Sequence, residues 1–418
     1  MHSPLLLTKT CAGIVVSLLL ADLRAAEERE WMSRRGGTVV ATLASQNGDE
    51  VVLATPDSKE IKVKLTDLSL ADRQYLIEFG GADASIITEG DSGTPEKDLR
   101  IDSSKMVRRD QKLALGKDSL CAFEVLETPK FLIATAGDIR PQALGETAER
   151  MWHGMAFQHM NFRKDWGDRH MLIIAVENPD AWKALGEWAA GEIDKRSPEA
   201  AGRLRATWPE TGSTRIYLPD EIASEHKLLP WAVVFNTKDA TRFRRPMAPG
   251  QIHSLAGFLL GQQMGGVSSF GADGYFAILT GHSYHKEIQL AGKSETSQIS
   301  MASDGADISR KSGFDDGRSW ARTLRGLVRK GDVKLSLAET LGWQSEDLEP
   351  ANLVTIYALS NYMQSDSKRL SAYSRMIRRI ESSNQIPEPV EVARIFGHET
   401  VEKFDEDWTE FVLKGDFR

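Results

Sequence analysis

Between Thr38 and Leu65 the chain reads TVVATLASQNGDEVVLATPDSKEIKVKL. No other stretch constrains the fold as tightly. It holds three short runs, TVVATLAS, EVVLAT and EIKVKL, each rich in β-branched residues. Asn47-Gly48 lies between the first two, and both residues tolerate positive φ, which predicts a two-residue hairpin. Pro56-Asp57-Ser58 supplies the chemistry of the next turn. LSLADRQYLIEF follows, with Ser69 as a capping candidate and Leu70, Tyr75, Leu76 and Phe79 at helical spacing. A strand meander of this length closed by a short helix predicts a small barrel over residues 28–80.

This stretch resembles the Sla-one homology domain, a small Src-homology-three-like barrel. The residues that carry the resemblance are Trp31, the meander itself and the closing LSLADRQYL. The resemblance implies a module that binds a protein or peptide, with Trp31 as the candidate on the barrel surface. A barrel that only stiffens the chain is the alternative.

GGADASIITEGDSGTPEKD comes next, and its Gly, Ser, Thr and acid content reads as a linker, taken as 81–116. From 117 the pattern changes. LCAFEVLE and KFLIATAG read as paired strands, RHMLIIAVEN as a continuous apolar strand, and STRIYLPD and LPWAVVFNT as further strands. Helical runs such as PDAWKALGEWAAGEI alternate with them. After Asn236 the chain is mainly helical, interrupted by a long polar loop from Ala291 to Gly317 and ending in a helical tail over 319–418.

The helix QIHSLAGFLLGQQ carries the functional question. A zinc-peptidase helix reads H-E-x-x-H, because imidazoles at i and i+4 project to one point and the Glu takes a proton from metal-bound water. Here those positions are His253, Ser254 and Gly257. HSLAGFLLG followed by FGADGYFAIL resembles the gluzincin, or peptidase MA-like, superfamily. By that resemblance Phe270 stands for an aromatic residue and Asp273 for the third ligand, with Gly274, Phe276 and Ala277 following in register. The resemblance spans the α/β part and the trailing helices, but the catalytic set is missing. Ser254 is no base and Gly257 no ligand, and loss of a general base costs about 10²–10⁴ in rate. Gly257 and Gly261 each cost roughly 1 kcal/mol against Ala inside a helix. A helix tolerates that beside a closely packed neighbour or an open groove. The expectation is a former catalytic cleft that persists as a peptide groove or is plugged, with His253, Ser254, Gly257, Gly261, Asp273 and Tyr275 as groove candidates.

The remaining signals narrow the function class. TGHSYHKEIQL places His282 and His285 three residues apart, which suits a shared face but lacks a further ligand or reads as a polar helix end. No G-x-S-x-G, P-loop or dinucleotide glycine pattern is present. Lys9, the apolar run CAGIVVSLLLA and small residues before a cut after Ala25 read as a signal peptide over 1–25, with a retained anchor as the alternative. Cleavage removes Lys9, Asp22 and Arg24, so the formal charge of -8 becomes about -9. An acidic chain without a basic run gains nothing from nucleic-acid phosphates. Cleavage also leaves Cys121 alone, so no internal disulfide can form, and its alternating context reads as a buried strand position.

The sequence therefore predicts an α+β multidomain chain: a small N-terminal β-barrel, then a gluzincin-like domain over 117–418 with an α/β part and a mainly α-helical C-terminal part. The expected function is that of an exported protein, periplasmic or extracellular and bacterial in type, that binds a protein or peptide and needs no cofactor. Nucleic-acid binding and stable membrane insertion after signal cleavage are not expected. The alternative is a metal-dependent hydrolase using His253 and Asp273 with His282 or His285.

Overall fold

A computed structural model of the chain describes residues 27–88, 93–163, 166–237, 243–265, 273–295, 319–415 and 417. The expected signal segment with Cys11, Phe270 and all but the first residues of the 291–317 loop lie outside the described residues.

The N-terminal unit is an antiparallel meander of β1 (Arg29–Met32), β2 (Thr38–Asn47), β3 (Glu50–Ala54) and β4 (Glu60–Lys64), in the order β1-β2-β3-β4. The first hairpin turns one residue later than expected. Asn47 still pairs with Glu50, and Gly48, at φ 62°, takes the positive-φ turn position. The unit does not close into a barrel, because β1 and β4 each pair on one side only and do not meet. Helix α1 (Leu70–Phe79), capped by Ser69, covers the apolar face instead. Trp31 is not on the surface. It is 1 % exposed, sits with Val51, Leu53 and Leu76 in the core of this unit, and donates its indole N–H to Ala41 O at 3.0 Å. An indole with a backbone acceptor inside the sheet gains more from burial than from display.

The expected linker is correspondingly corrected. Residues 81–116 include α2 (Pro95–Asp98) and β5 (Val107–Ala114), which pairs with β6 (Ala122–Glu127). The polar composition reflects an edge strand with one wet face, where only Leu113 is buried, rather than free chain.

β5 opens a six-stranded sheet that includes β7 (Phe131–Ala136), β8 (His170–Val176), β9 (Ser213–Tyr217) and β10 (Leu228–Asn236), in the order β5-β6-β7-β8-β10-β9. Its three central strands are parallel and carry continuous apolar runs because both faces are covered. One face packs on α3 (Pro141–Gln158). The other packs on α4 (Pro179–Asp194) and α5 (Pro198–Thr207), where Trp182 and Trp208 stack at 4.4 Å. The short α6 (Asp220–Glu225) leads into β10. Cys121 lies buried at the entry to β6, its thiol pushed up to about 11 by burial, which leaves it unreactive.

Helices α7 (Pro249–Met264), α8 (Tyr275–Ala291), α9 (Trp320–Lys330), α10 (Leu337–Gly342), α11 (Pro350–Met363), α12 (Ser367–Ser383), α13 (Pro389–Ile395) and α14 (Val401–Lys414) form the helical part. Their apolar faces join the α3 face of the sheet in one large core, which also takes in Met32 and Leu70 from the N-terminal unit. The α+β class expected from sequence is therefore present. Among the described residues no helix is long and apolar enough to cross a membrane.

Asp72 ties the N-terminal unit to this body. Its wholly buried carboxylate accepts from Met32 N and Ser69 Oγ, both at 2.7 Å, and meets Arg29 and Arg163 at 2.9 Å. Asp72→Ala is expected to cost about 2–3 kcal/mol, below the about 3–5 kcal/mol of a fully buried pair because both guanidinium groups reach water. Urea denaturation of the full chain measures it.

Candidate functional site

The site that the sequence pointed to lies between α7 and α8, which pack side by side. Proline at the first position starts α7, and Gly274, at φ 83°, immediately precedes α8. His253 lies in the first turns of α7 and is 7 % exposed. Its Nδ1 is 3.1 Å from Glu287 Oε2, near the far end of α8. Glu287 is fully buried and also accepts from Ser294 Oγ at 2.9 Å and from the Glu295 backbone N–H at 2.8 Å. Tyr284 meets the imidazole edge to face at 4.4 Å. The histidine is therefore held by a carboxylate of its neighbouring helix, three residues beyond the tyrosine that packs on it.

The two glycines are covered, which fits the plugged form of the expectation and not the open groove at these positions. A Cβ on Gly257 would meet Ser283 Oγ at 2.6 Å, so a side chain there would first have to displace that hydroxyl of α8. A Cβ on Gly261 would fall 2.0 Å from Arg215 Nη2. That guanidinium crosses from β9, donates to Phe258 O at 3.2 Å and lies 4.1 Å from the Trp231 ring centre. Burial pushes Arg215 below its ordinary value, and Tyr275, half-buried in the first turn of α8, draws it back up. Ser254 faces another way and meets Ser213 Oγ at 3.1 Å.

The proposed metal ligands do not converge. Asp273 is exposed and precedes the first turn of α8, where a third ligand would be expected on the helix itself. His282 and His285 project from α8 into a different neighbourhood, roughly opposite Glu287 around the helix. The ring of His282 lies parallel to Tyr373 of α12 at 5.9 Å, and its Nδ1 shares a hydrogen bond with Tyr373 OH at 3.4 Å. Asn361 of α11 donates to His285 Nδ1 at 3.4 Å. Among the described residues no group of three or more His, Cys, Asp or Glu is placed to hold a metal ion. The residues present do not fit the zinc ion that the gluzincin pattern implies: one imidazole is committed to Glu287, and the i+4 position is filled by a neighbouring helix.

Between α2, α3 and α8 lies a polar cluster for which the sequence offered only fragments. Lys286 Nζ is 2.7 Å from Glu96 Oε1 and 2.7 Å from Gln158 Oε1, with Lys286 and Glu96 at 1 % and 0 % exposure. His159, His282 and His285 surround it. Burial, and next the Lys286 ammonium, pushes His159 and His285 down to about 3 and His282 far below its ordinary value. These are neutral imidazoles in a dry interior, unsuited to exchanging protons with solvent. The signal for Glu96 was hidden in the polar stretch, where a buried acid cannot be told from a solvated one.

Comparison with family models, with curated proteins and with solved structures finds no match to this chain. The site is therefore interpreted from its own geometry.

Proposed function

We propose that this chain is an exported binding or scaffolding protein, periplasmic or extracellular, whose larger part is a gluzincin-like body without peptidase chemistry and whose N-terminal meander engages a protein or peptide partner. The observation that carries this reading is the commitment of His253 to Glu287 under a helix pair closed at Gly257. A zinc peptidase of the H-E-x-x-H type needs an imidazole pair and a carboxylate base open to water and substrate. Here one imidazole is present, its carboxylate partner is buried, and the i+4 position bears no side chain. In support of the interaction role, the outer side of β4 is paired by no strand among the described residues, and Val40 and Ile61 are exposed.

Metal analysis joined to a peptidase assay tests the reading. The purified full chain is expected to carry no stoichiometric zinc and to cleave no peptide library above background. His253→Ala should change neither result. Stoichiometric zinc that disappears with His253→Ala, together with hydrolysis lost in the same variant, would establish the metal-dependent hydrolase using His253 and Asp273 instead.

A further inference from the structure

A cleft of about 760 Å³ separates α1 of the N-terminal unit from α12 of the helical body. Clefts of this size between structural units are common ligand sites. Ile77 and Ile87 line it with apolar surface, and Lys368, Arg375 and Arg378 line it from α12. The chain as a whole is acidic, at -8, yet this cleft is cationic. Arg378 is already neutralised by Glu78 across the cleft. Among the described residues no carboxylate lies within ion-pair distance of Lys368 or Arg375, although Glu78 also acts on Arg375 from farther off. The Arg375 guanidinium donates to Ser371 Oγ at 3.5 Å and Ile395 O at 3.3 Å.

The spacing of these two cations selects the ligand. They stand seven residues apart on one helix, two turns along the same face, which separates their attachment points by about 10 Å. A ligand with two carboxylates at that spacing meets each cation without drawing the two long side chains together along the helix. In a polyproline-type extended peptide, residues i and i+3 point the same way about 9 Å apart. We infer that this cleft binds an extended acidic peptide segment of a partner protein, with carboxylates at i and i+3 on Lys368 and Arg375 and an apolar residue between them against Ile77 and Ile87. This goes beyond the scaffold reading by giving a partner's chemistry and its place. It stands or falls independently of whether the His253 face is silent.

Fluorescence anisotropy on the full chain tests it, using a labelled peptide Gly-Glu-Pro-Leu-Glu-Pro-Gly at low and at 0.5 M salt. Saturable binding is expected, weakened by salt because the pairs are exposed. Replacing both Glu by Gln in the peptide should weaken it by about two- to thirtyfold, and Lys368→Glu with Arg375→Glu in the protein by at least as much. Lys183→Glu, on α4, should leave it unchanged. If the charge-reversed protein melts early, Lys368→Gln with Arg375→Gln is read in its place. Absent binding, equal binding of the Gln peptide, an unmoved affinity in the double variant, or full competition by decanoate, a single carboxylate on an apolar tail, would each overturn the proposal. Zinc-dependent peptidase activity would sink the scaffold reading and leave this one standing.

Discussion

Replacing Lys286 with Met is expected to destabilise the chain by about 3–5 kcal/mol, the cost of leaving a buried carboxylate without its cation. Lys286 Nζ holds Glu96 Oε1 and Gln158 Oε1 at 2.7 Å each, and neither charged side chain is more than 1 % exposed. The second Glu96 oxygen already lacks a hydrogen-bond partner among the described residues, and His153, whose imidazole feels this carboxylate, is itself held below its ordinary value by burial. The damage should reach beyond the pair, because Glu96 anchors the segment between the two sheets. Arg150 of α3 grips that segment only through the Glu96 and Leu99 carbonyl oxygens, at 2.9 and 3.0 Å. Urea denaturation of Lys286→Met, Glu96→Met and the double variant measures the effect. The double variant should recover most of the loss, since an apolar pair of similar volume is often as stable as a buried ion pair. A cost below about 1 kcal/mol for Lys286→Met would mean that water reaches the cluster.

Stability should also fall steeply in mild acid. An exposed imidazole takes up a proton near pH 6.5. In the fold, burial and the Lys286 charge push His159 and His285 down to about 3 and His282 far down as well. Above pH 6.5 these residues are neutral in both states and contribute no pH dependence. Below it the unfolded chain binds protons that the fold refuses, so stability falls as pH drops from about 6.5 toward 3. The slope is about 1.4 kcal/mol per pH unit for each such histidine. By pH 5 His159 and His285 therefore each cost about 2 kcal/mol, and His282 acts in the same direction, a sizeable share of the 5–15 kcal/mol that typically holds a domain. Urea midpoints at pH 7.5 and pH 5 check this. His159→Met, which removes an imidazole whose two nitrogens have no partner, should shrink the pH dependence. A midpoint that does not move between these pH values would mean that the imidazoles already carry protons in the fold.

The α7–α8 pair shows where sequence reading stops. The missing ligands at Ser254 and Gly257 were legible directly, because the zinc motif is local: its spacing follows from one helix. What faces those positions was not. Asp273 is near in sequence to the start of α8, yet it is exposed and outside the helix, while Glu287, fourteen residues further on, is the residue that meets His253. Only the packing of two helices side by side decides that. Trp31 shows the same limit. An aromatic residue at the start of a strand reads equally as surface or core until the opposite face of the sheet is known, and α1 closes that face over it.

By itself the sequence determined the local order of this protein: the strand meander with its turn near Gly48, the alternating middle, the helical tail and the absence of an intact zinc motif. These depend on periodicity, turn chemistry and residue spacing, which act over a few neighbours. The tertiary structure alone decided that the meander stays open, that the polar stretch after it delivers Glu96 into the core, and that Lys286, Glu287 and the histidines divide between two sides of α8. Burial is the physical reason. A charge or a glycine reads the same in a chain whether it ends in water or in a dry interior, and only the elements packed against it settle which.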